Sequence, residues 1–214
     1  MPPIISIVGR SNSGKTTLIE KLLTELKARG YRVATVKHTH SKMTISESDK
    51  DSARHLQAGA AAALVTAPGR LEMAKTFPQE LTLEQVALII GEDYDLILTE
   101  GFKEADAPKI EVHRKANAPP LTDIKKLFAI ATDEPLDSKI RQFSLDDVKG
   151  IADLIEEGFI KPQLERYSLL VNDVPIALNA FTKEFIVNIQ LAMANGLKGV
   201  GKIQTIKIFL KKKE

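Results

Sequence analysis

The 214-residue sequence contains no cysteine, and only 5% of its residues are aromatic. The absence of cysteine excludes disulfides, thiolate metal sites and cysteine nucleophiles. Basic and acidic residues nearly balance, at 30 against 28, so the net charge of +2 does not favour a nucleic-acid partner. No apolar run approaches the roughly 18 residues of a membrane helix, and the N-terminus has no signal-peptide pattern. We therefore expect a cytoplasmic protein that binds neither nucleic acid nor membrane.

Strand and helix signals alternate from the N-terminus to about residue 160. Ile4–Val8 is a β-branched run, apolar residues from Leu18 to Leu26 repeat at helical spacing, and Tyr31–Lys37 is again extended. Such a βαβ unit requires parallel strands. We predict further helices over Asp49–Ala58, from Thr82 to Ile90 and from Ser144 to Gly158, and further strands over Asp95–Glu100, Lys109–His113 and Leu127–Ala131. Ala60–Ala67 is an apolar run that ends at a turn, Pro68-Gly69. Together these predict an α/β domain over residues 1–160 with a doubly wound, mostly parallel sheet.

The pattern changes in the last quarter of the chain. Residues 159–166 are typical of a linker, with Pro162 as the break. Beyond them the sequence predicts a hairpin, a helix and a strand, over Tyr167–Val171 with Val174–Leu178, Thr182–Ala194 and Ile203–Leu210. We expect residues 161–214 to form a small ββαβ appendage of the α+β type, used for interaction or dimerisation.

One motif carries most of the chemistry. Residues 9–16, Gly-Arg-Ser-Asn-Ser-Gly-Lys-Thr, match the P-loop pattern G-x-x-x-x-G-K-[ST] at every fixed position. Gly9 and Gly14 permit backbone angles that turn successive N–H groups toward one anion. Lys15 reaches the β- and γ-phosphates, and the Thr16 hydroxyl ligates Mg²⁺. The motif lies between a strand and an amphipathic helix, which predicts a P-loop NTPase-type fold and a nucleoside-triphosphate site.

A second acidic position and a polar stretch accompany the loop. Glu100 ends an apolar strand, where a P-loop protein needs a carboxylate near its magnesium ion; the alternative is a solvated strand-end acid. The stretch after the second strand occupies a switch-like position. There, Lys37 and His38 are candidate phosphate contacts, and Asp49 or Asp51 a water-mediated magnesium contact. The histidines, His38 and His40, fit a polar surface loop equally well.

At this point the sequence resembles a known family. The segments GRSNSGKTTL, VKHTH, DKDSARHLQAGA, DLILTEGFK, PKIEVHR and AIATDE, in this order over residues 1–155, are similar to those of the molybdopterin-guanine dinucleotide biosynthesis adapter proteins, MobB. The P-loop is shared by many families, and the AGA, TEGFK and KIEVHR segments make the resemblance specific. It implies a GTP-binding adapter protein of molybdenum-cofactor assembly that assists the guanylyltransferase, usually as a dimer, with slow GTP hydrolysis at most. Molybdopterin is a further possible ligand.

The resemblance also implies roles for individual residues. Lys15 and Glu100 would be the catalytic pair of a weak GTPase, with Lys103 near Glu100. Thr16, Glu100 and Asp51 are the magnesium candidates, and His113 with Arg114 is a basic pair for an anionic pterin or a partner. The nucleotide candidates are Gly9, Asn12, Ser13, Gly14, Lys15, Thr16, Thr17, Lys37, His38 and Asp133.

Two points leave alternatives open. No N-K-x-D guanine motif is present, so Asp133 is either a degenerate guanine contact or the cap of a turn with Glu134 and Pro135. The same P-loop also serves small-molecule kinases and metal-insertion GTPases. The scattered arginines argue against a kinase lid, and the lack of cysteine argues against a metal-insertion protein. The adapter hypothesis is therefore favoured.

Overall fold

The computed structural model describes residues 1–39, 50–117, 119–163, 169–172, 174–176, 178–203, 206 and 208. The chain divides into two compact units, Pro2–Leu164 and Glu165–Glu214. The strands of the first unit are β1 (Ile4–Val8), β2 (Val33–Lys37), β3 (Ala62–Ala67), β4 (Arg70–Lys75), β5 (Leu96–Glu100), β6 (Lys109–His113), β7 (Leu127–Thr132) and β8 (Arg141–Ser144). Its helices are α1 (Lys15–Ala28), α2 (Lys50–Gln57), α3 (Leu83–Ile90) and α4 (Val148–Ile155).

Six of these strands form one sheet in the order β2-β5-β1-β6-β7-β8, and every neighbouring pair is parallel. The first strand, β1, therefore lies in the interior of the sheet, between β5 and β6. The carboxyl ends of these three strands meet at one edge, which is where parallel sheets hold their ligands. The prediction of an α/β fold with a parallel sheet is confirmed.

The core lies between one face of the sheet and helices α1 and α4. Ile5 and Ile7 of β1 point into it and are fully buried, as are Leu22 and Leu26 of α1. The apolar residues of α1 recur every three or four positions, so that they share one face of the helix. Gly30, at φ 90°, ends the helical path. Fully burying one such leucine stabilises the fold by about 1.5–3 kcal/mol.

On the opposite face of the sheet, strand β6 carries polar side chains that are buried. Along β6, Ile110 and Val112 belong to the core, whereas Lys109, Glu111 and His113 alternate with them and are each at most 3% exposed. The ammonium group of Lys109 donates to the carbonyls of Ala107 at 2.9 Å and Lys125 at 3.2 Å. Burial lowers the pKa of Lys109.

An ion-pair cluster joins the end of α1 to the end of α4. The guanidinium of Arg29 contacts Glu25, Asp153 and Glu156, the last two at 2.7 Å. The hydroxyl of Tyr31 donates to Glu156 at 2.9 Å. The guanidinium of Arg29, followed by the Tyr31 hydroxyl, lowers the pKa of Glu156 to about 2.

Two parts of the first unit differ from the sequence prediction. The apolar run and turn at residues 60–69 belong to an antiparallel hairpin of β3 and β4, in which Leu64 lies opposite Met73.

The strand β8 was not predicted, and α4 begins at Val148 rather than at Ser144. Asp147 caps it by accepting from Gly150 N at 3.0 Å. The strand β8 has one apolar residue among four and therefore carries a weak periodic signal. The strand β4 does alternate, as Arg70-Leu71-Glu72-Met73, and the prediction did not use that signal.

The linker predicted over residues 159–166 is wrong in its first half. Helix α4 continues as a π-helical segment, Glu156–Ile160, and a 3₁₀ turn, Lys161–Gln163. Ile160 is 2% exposed in the core, and the ring of Phe159 lies 4.9 Å from that of Phe128. Burial of these two side chains keeps the segment on the domain despite Pro162, whose missing N–H is tolerated in a tight terminal turn.

The second unit contains a short antiparallel hairpin and one long helix. The hairpin pairs β9 (Leu170–Val171) with β10 (Val174–Pro175), and the helix is α5 (Ala180–Asn195). The side chain of Asn179 caps α5 by accepting from Thr182 N at 2.8 Å. The strand predicted over Ile203–Leu210 falls largely outside the described residues. Every helix in the described part of the chain is too short or too polar to cross a membrane.

Candidate phosphate-binding site

The loop between β1 and α1 has the backbone of an anion cradle. Gly9, Asn12 and Gly14 have φ of 150°, 60° and 99°, and a chain with such turns directs successive N–H groups to one side. The loop leads directly into the first turn of α1, whose free N–H groups face the same space. A Cβ atom at Gly9 would lie 2.5 Å from the carbonyl oxygen of Val112, so only glycine fits between β1 and β6.

Lys15 lies at the start of α1 and folds back over the loop. Its Nζ atom donates to the carbonyl oxygen of Arg10 at 2.8 Å. Burial lowers the pKa of Lys15, the nearby Glu100 opposes that shift, and the positive charges of Lys103 and Lys37 add to it. The charges of Lys37 and Lys103 thus repel that of Lys15, and an arriving polyanion would relieve this repulsion.

Thr16 and Glu100 meet at the carboxyl edge of the sheet. The register of β1 and β5 pairs Ile7 with Glu100, which brings the carboxylate beneath the first turn of α1. The Thr16 hydroxyl donates to Glu100 Oε2 at 2.9 Å, while Glu100 Oε1 lies 3.4 Å from Lys37 Nζ. The two residues predicted as magnesium ligands thus lie within hydrogen-bonding distance of each other, and their role at a metal ion stays a prediction.

A hydroxyl beside a carboxylate suits Mg²⁺, which binds protein oxygens sparingly and completes its octahedron with water and phosphate. The donor set of Thr16 and Glu100 fits that requirement. Within the residues that the structure describes, no three histidine or carboxylate side chains converge to hold a metal ion by themselves. A magnesium ion held by Thr16 and Glu100 would complete its shell with water and phosphate oxygens.

The backbone of His38 lies beside the Thr16–Glu100 pair, but its side chain contacts other residues. Its backbone N–H donates to the Glu100 carbonyl at 3.0 Å, and its Nε2 atom lies 2.7 Å from Glu80 Oε1. Its ring packs on Phe102, with centroids 4.7 Å apart. Gly101, at φ 99°, admits this packing because a Cβ there would lie 3.3 Å from His38 Cβ. His38 thus links the end of β2 to the loop before α3.

The remaining predicted positions vary in their surroundings. Thr17 and Asn12 are exposed at the start of α1 and on the loop, whereas Ser13 is 1% exposed. Asp51 lies in the first turn of α2, with its carboxylate 3.7 Å from Arg54. His40 and Asp49 lie outside the described residues.

Asp133 and the predicted basic pair lie at the ends of β6 and β7. The Asp133 carboxylate is exposed and accepts from the backbone N–H of Lys115 at 2.8 Å. His113 is 3% exposed and its Nε2 atom lies 3.0 Å from Glu134. Arg114 instead turns to the P-loop, where its Nε atom donates to Ser13 O at 3.0 Å. The two residues therefore do not form one basic surface.

Sequence patterns missed one contributor to the loop. The Asn117 side chain donates to Ser11 O at 3.3 Å across 106 positions of sequence. An asparagine in a surface turn carries no signal of such a contact, since turns commonly contain asparagine for their own backbone geometry. Asn117 reaches the loop because the turn that contains it follows β6, which pairs with β1.

The cradle, its lysine and the Thr16–Glu100 pair, mounted on a parallel sheet, define a protein of the P-loop NTPase fold. Comparison with known proteins narrows this class. The family model for molybdopterin guanine dinucleotide synthesis protein B, MobB, matches residues 4–133. The chain belongs to this family, as its segments predicted.

Individual relatives agree with this assignment. A molybdopterin-guanine dinucleotide biosynthesis adapter protein from Haemophilus influenzae is 37% identical over 156 residues, covering 72% of this chain and 88% of the relative. Its counterpart from Escherichia coli is 35% identical, covering 75% and 95%.

Two crystal structures of this family share the fold. Molybdopterin-guanine biosynthesis protein B superposes with a TM-score of 0.60 at 33% identity, covering 72% of this chain and 97% of that one. The MobB homolog from Bacillus stearothermophilus has a TM-score of 0.57 at 27% identity, covering 75% and 99%. The unit Glu165–Glu214 lies beyond the residues that the family model matches.

Proposed function

We propose that this chain acts as an adapter in molybdopterin guanine dinucleotide biosynthesis by holding GTP and Mg²⁺ at the P-loop for a guanylyltransferase. One observation carries the proposal: Lys15, Thr16 and Glu100 converge at the mouth of a preformed anion cradle. Family membership supplies the pathway, and this geometry supplies the phosphate chemistry.

Phosphate binding would exchange contacts that already exist within the loop. The ammonium group of Lys15 would leave the Arg10 carbonyl for phosphate oxygens, which are stronger acceptors because they are charged. The positive end of α1 would add to the attraction. Lys37 and Lys103 would contribute long-range charge.

Magnesium would take the place now filled by the Thr16–Glu100 hydrogen bond. The hydroxyl would ligate the ion, and Glu100 would hold it directly or through water. Both oxygens of Glu100 are engaged, by Thr16 and by Lys37, so this carboxylate is arranged to hold cations rather than to accept a proton from water. We therefore expect GTP hydrolysis to be slow.

Calorimetric titration of the full chain with GTP and Mg²⁺ tests the phosphate site. We expect Lys15→Ala to weaken binding roughly 10- to 100-fold, the range for losing a charge-assisted hydrogen bond. Lys27→Ala removes an exposed lysine at the far end of the same helix and serves as the matched control. Unchanged affinity in Lys15→Ala would refute the P-loop assignment.

A second titration tests the magnesium role of Glu100. Glu100→Gln keeps an acceptor for the Thr16 hydroxyl and removes the negative charge. We expect the dependence of GTP affinity on Mg²⁺ concentration to weaken in this variant. An unaltered magnesium dependence would remove Glu100 from the metal site.

Guanine selectivity is proposed to involve Asp133, whose carboxylate lies at the end of β7. Asp133→Asn separates two roles, because an amide oxygen still accepts from Lys115 N but no longer pairs with both N–H groups of guanine. Loss of GTP preference over ATP is expected, with Asp137→Asn, on the following exposed loop, as the control. Retained preference would leave Asp133 a structural role only.

The partner assignment needs its own measurement. We propose a homodimer that works with the guanylyltransferase and molybdopterin in the cytoplasm. Light scattering of the purified chain and co-purification with guanylyltransferase, each with GTP or without nucleotide, test this, and cell fractionation tests location. Rapid phosphoryl transfer from GTP to a small molecule would instead favour a kinase.

A further inference from the structure

The carbonyl groups of the P-loop that face away from the anion site need hydrogen-bond donors of their own. When the N–H groups of the loop turn inward to an anion, its C=O groups point away from the site. The Arg10 carbonyl accepts from Lys15 Nζ and from Ser13 N within the loop. The carbonyls of Ser11 and Ser13 instead accept from side chains more than 100 positions later in the sequence.

Both of these donors come from one turn after β6, residues 114–117. Arg114 Nε donates to Ser13 O at 3.0 Å, and Asn117 Nδ2 donates to Ser11 O at 3.3 Å. The guanidinium of Arg114 also covers Gly14, where a Cβ atom would lie 3.5 Å from its Nε and Nη2 atoms. The turn therefore contacts three residues of the loop, Ser11, Ser13 and Gly14.

The turn is itself fixed from two sides. Within it, Asn117 N donates to the Arg114 carbonyl at 3.0 Å. From β7, the Asp133 carboxylate accepts the N–H of Lys115 at 2.8 Å, and Glu134 lies 3.5 Å from the Lys115 ammonium group. The contacts thus run from the end of β7, through the turn, to the back of the P-loop.

We propose that Arg114 is a positioning residue, which holds the P-loop backbone in its anion-binding conformation from behind and does not touch the nucleotide. The proposal rests on nucleotide binding at this loop. Holding the cradle in advance lowers the cost of ordering it when phosphate arrives. The Ser13 and Gly14 backbone is shared by diphosphates and triphosphates, so both should gain equally.

Affinity for GTP and GDP separates this role from a direct charge effect. For Arg114→Ala we expect both affinities to fall about fivefold, the size expected for one partly exposed hydrogen bond to a backbone carbonyl, with their ratio unchanged. Arg114→Lys keeps the charge but not the flat guanidinium over Gly14, and should recover little. Full recovery with lysine, or a larger loss for GTP than for GDP, would overturn the proposal.

Hydrogen exchange of the nucleotide-free chain supplies a readout that does not depend on GTP. We expect the amides of residues 13–15 to exchange faster in Arg114→Ala than in the parent chain. Lys139→Ala, which removes a positive charge from an exposed loop, should leave them unchanged. Unaltered exchange in Arg114→Ala would refute the proposal.

Asn117→Ala and Lys15→Ala distinguish failure of the Arg114 proposal from misfolding and from failure of the proposed function. If Arg114→Ala does not fold, Asn117→Ala tests the same turn through the Ser11 carbonyl, with a loss of about threefold expected. If Lys15→Ala binds GTP normally, the proposed function fails, whereas the exchange experiment still decides whether Arg114 holds the loop.

Discussion

Substitution of Gly9 by alanine gives the sharpest test of the way the loop is built into the sheet. The new methyl group would lie 2.5 Å from the Val112 carbonyl and 2.7 Å from Ser13 Oγ. Neither neighbour moves easily, because Val112 and Ser13 are each 1% exposed. In addition, φ at Gly9 is 150°, which an L-residue rarely adopts.

The cost has two sources. Backbone strain of this kind amounts to about 1–3 kcal/mol, and overpacking of a buried site adds about 1–3 kcal/mol. We expect Gly9→Ala to lower the free energy of unfolding by about 2–6 kcal/mol. At about 2–4 °C per kcal/mol for a domain of this size, the melting temperature should fall by roughly 4–24 °C.

Urea unfolding followed by circular dichroism measures this loss. Gly158→Ala is the matched control. Gly158 lies in the helical continuation of α4, and a Cβ atom added there would have no neighbour within 4 Å. Alanine there should be neutral or stabilise by about 0.5–1 kcal/mol. A loss below about 1 kcal/mol in Gly9→Ala would refute the claim that β6 confines the loop.

Three further predictions concern the body of the domain. The pKa of Glu156 is lowered to about 2, chiefly by Arg29. The carboxylate therefore contributes fully to the free energy of unfolding above its ordinary pKa of 4.5, and this contribution is lost as the pH falls toward 2. Over that pH range, acid titration of Glu156→Gln should show a smaller loss of stability than the parent chain. The buried Thr99 hydroxyl donates to Ser6 Oγ at 2.9 Å. Thr99→Val and Ser6→Ala should each cost about 1–2 kcal/mol, with the double variant costing less than their sum in a double-mutant cycle. Leu22→Ala, at a fully buried position of α1, should cost about 2–5 kcal/mol in urea unfolding, and a smaller loss would show that the core closes around the cavity.

Local sequence signals were sufficient for the first part of the site. The P-loop pattern, the apolar spacing of α1 and the acid at the end of β5 each lie within a few residues of the feature that they predict. Glu100 was placed near Thr16 because parallel strands bring their carboxyl ends to one edge. In the structure the Thr16 hydroxyl lies 2.9 Å from Glu100 Oε2.

Features that depend on distant contacts escaped the same reasoning. Residues 156–160 stay helical because Ile160 packs into the core. The prediction of a linker from Pro162 could not take that packing into account. The strand β4 is a different case, because only two residues separate it from its partner β3. The alternation Arg70-Leu71-Glu72-Met73 is itself a strand signal, which the prediction did not use. Asn117 acquires its role only through the register of β6 with β1. For Ile160 and Asn117 the deciding neighbour lies far along the chain.

The position of β1 also determines when the phosphate site can exist during synthesis. Both strands that pair with β1 come much later in the chain, since β5 ends at Glu100 and β6 ends at His113. The donors to the Ser11 and Ser13 carbonyls follow later still. A nascent chain that has just exposed its complete P-loop motif therefore has neither the strand partners nor the outer donors of that loop. The motif is encoded in the first 16 residues, but the site is completed only after residue 117 has left the ribosome.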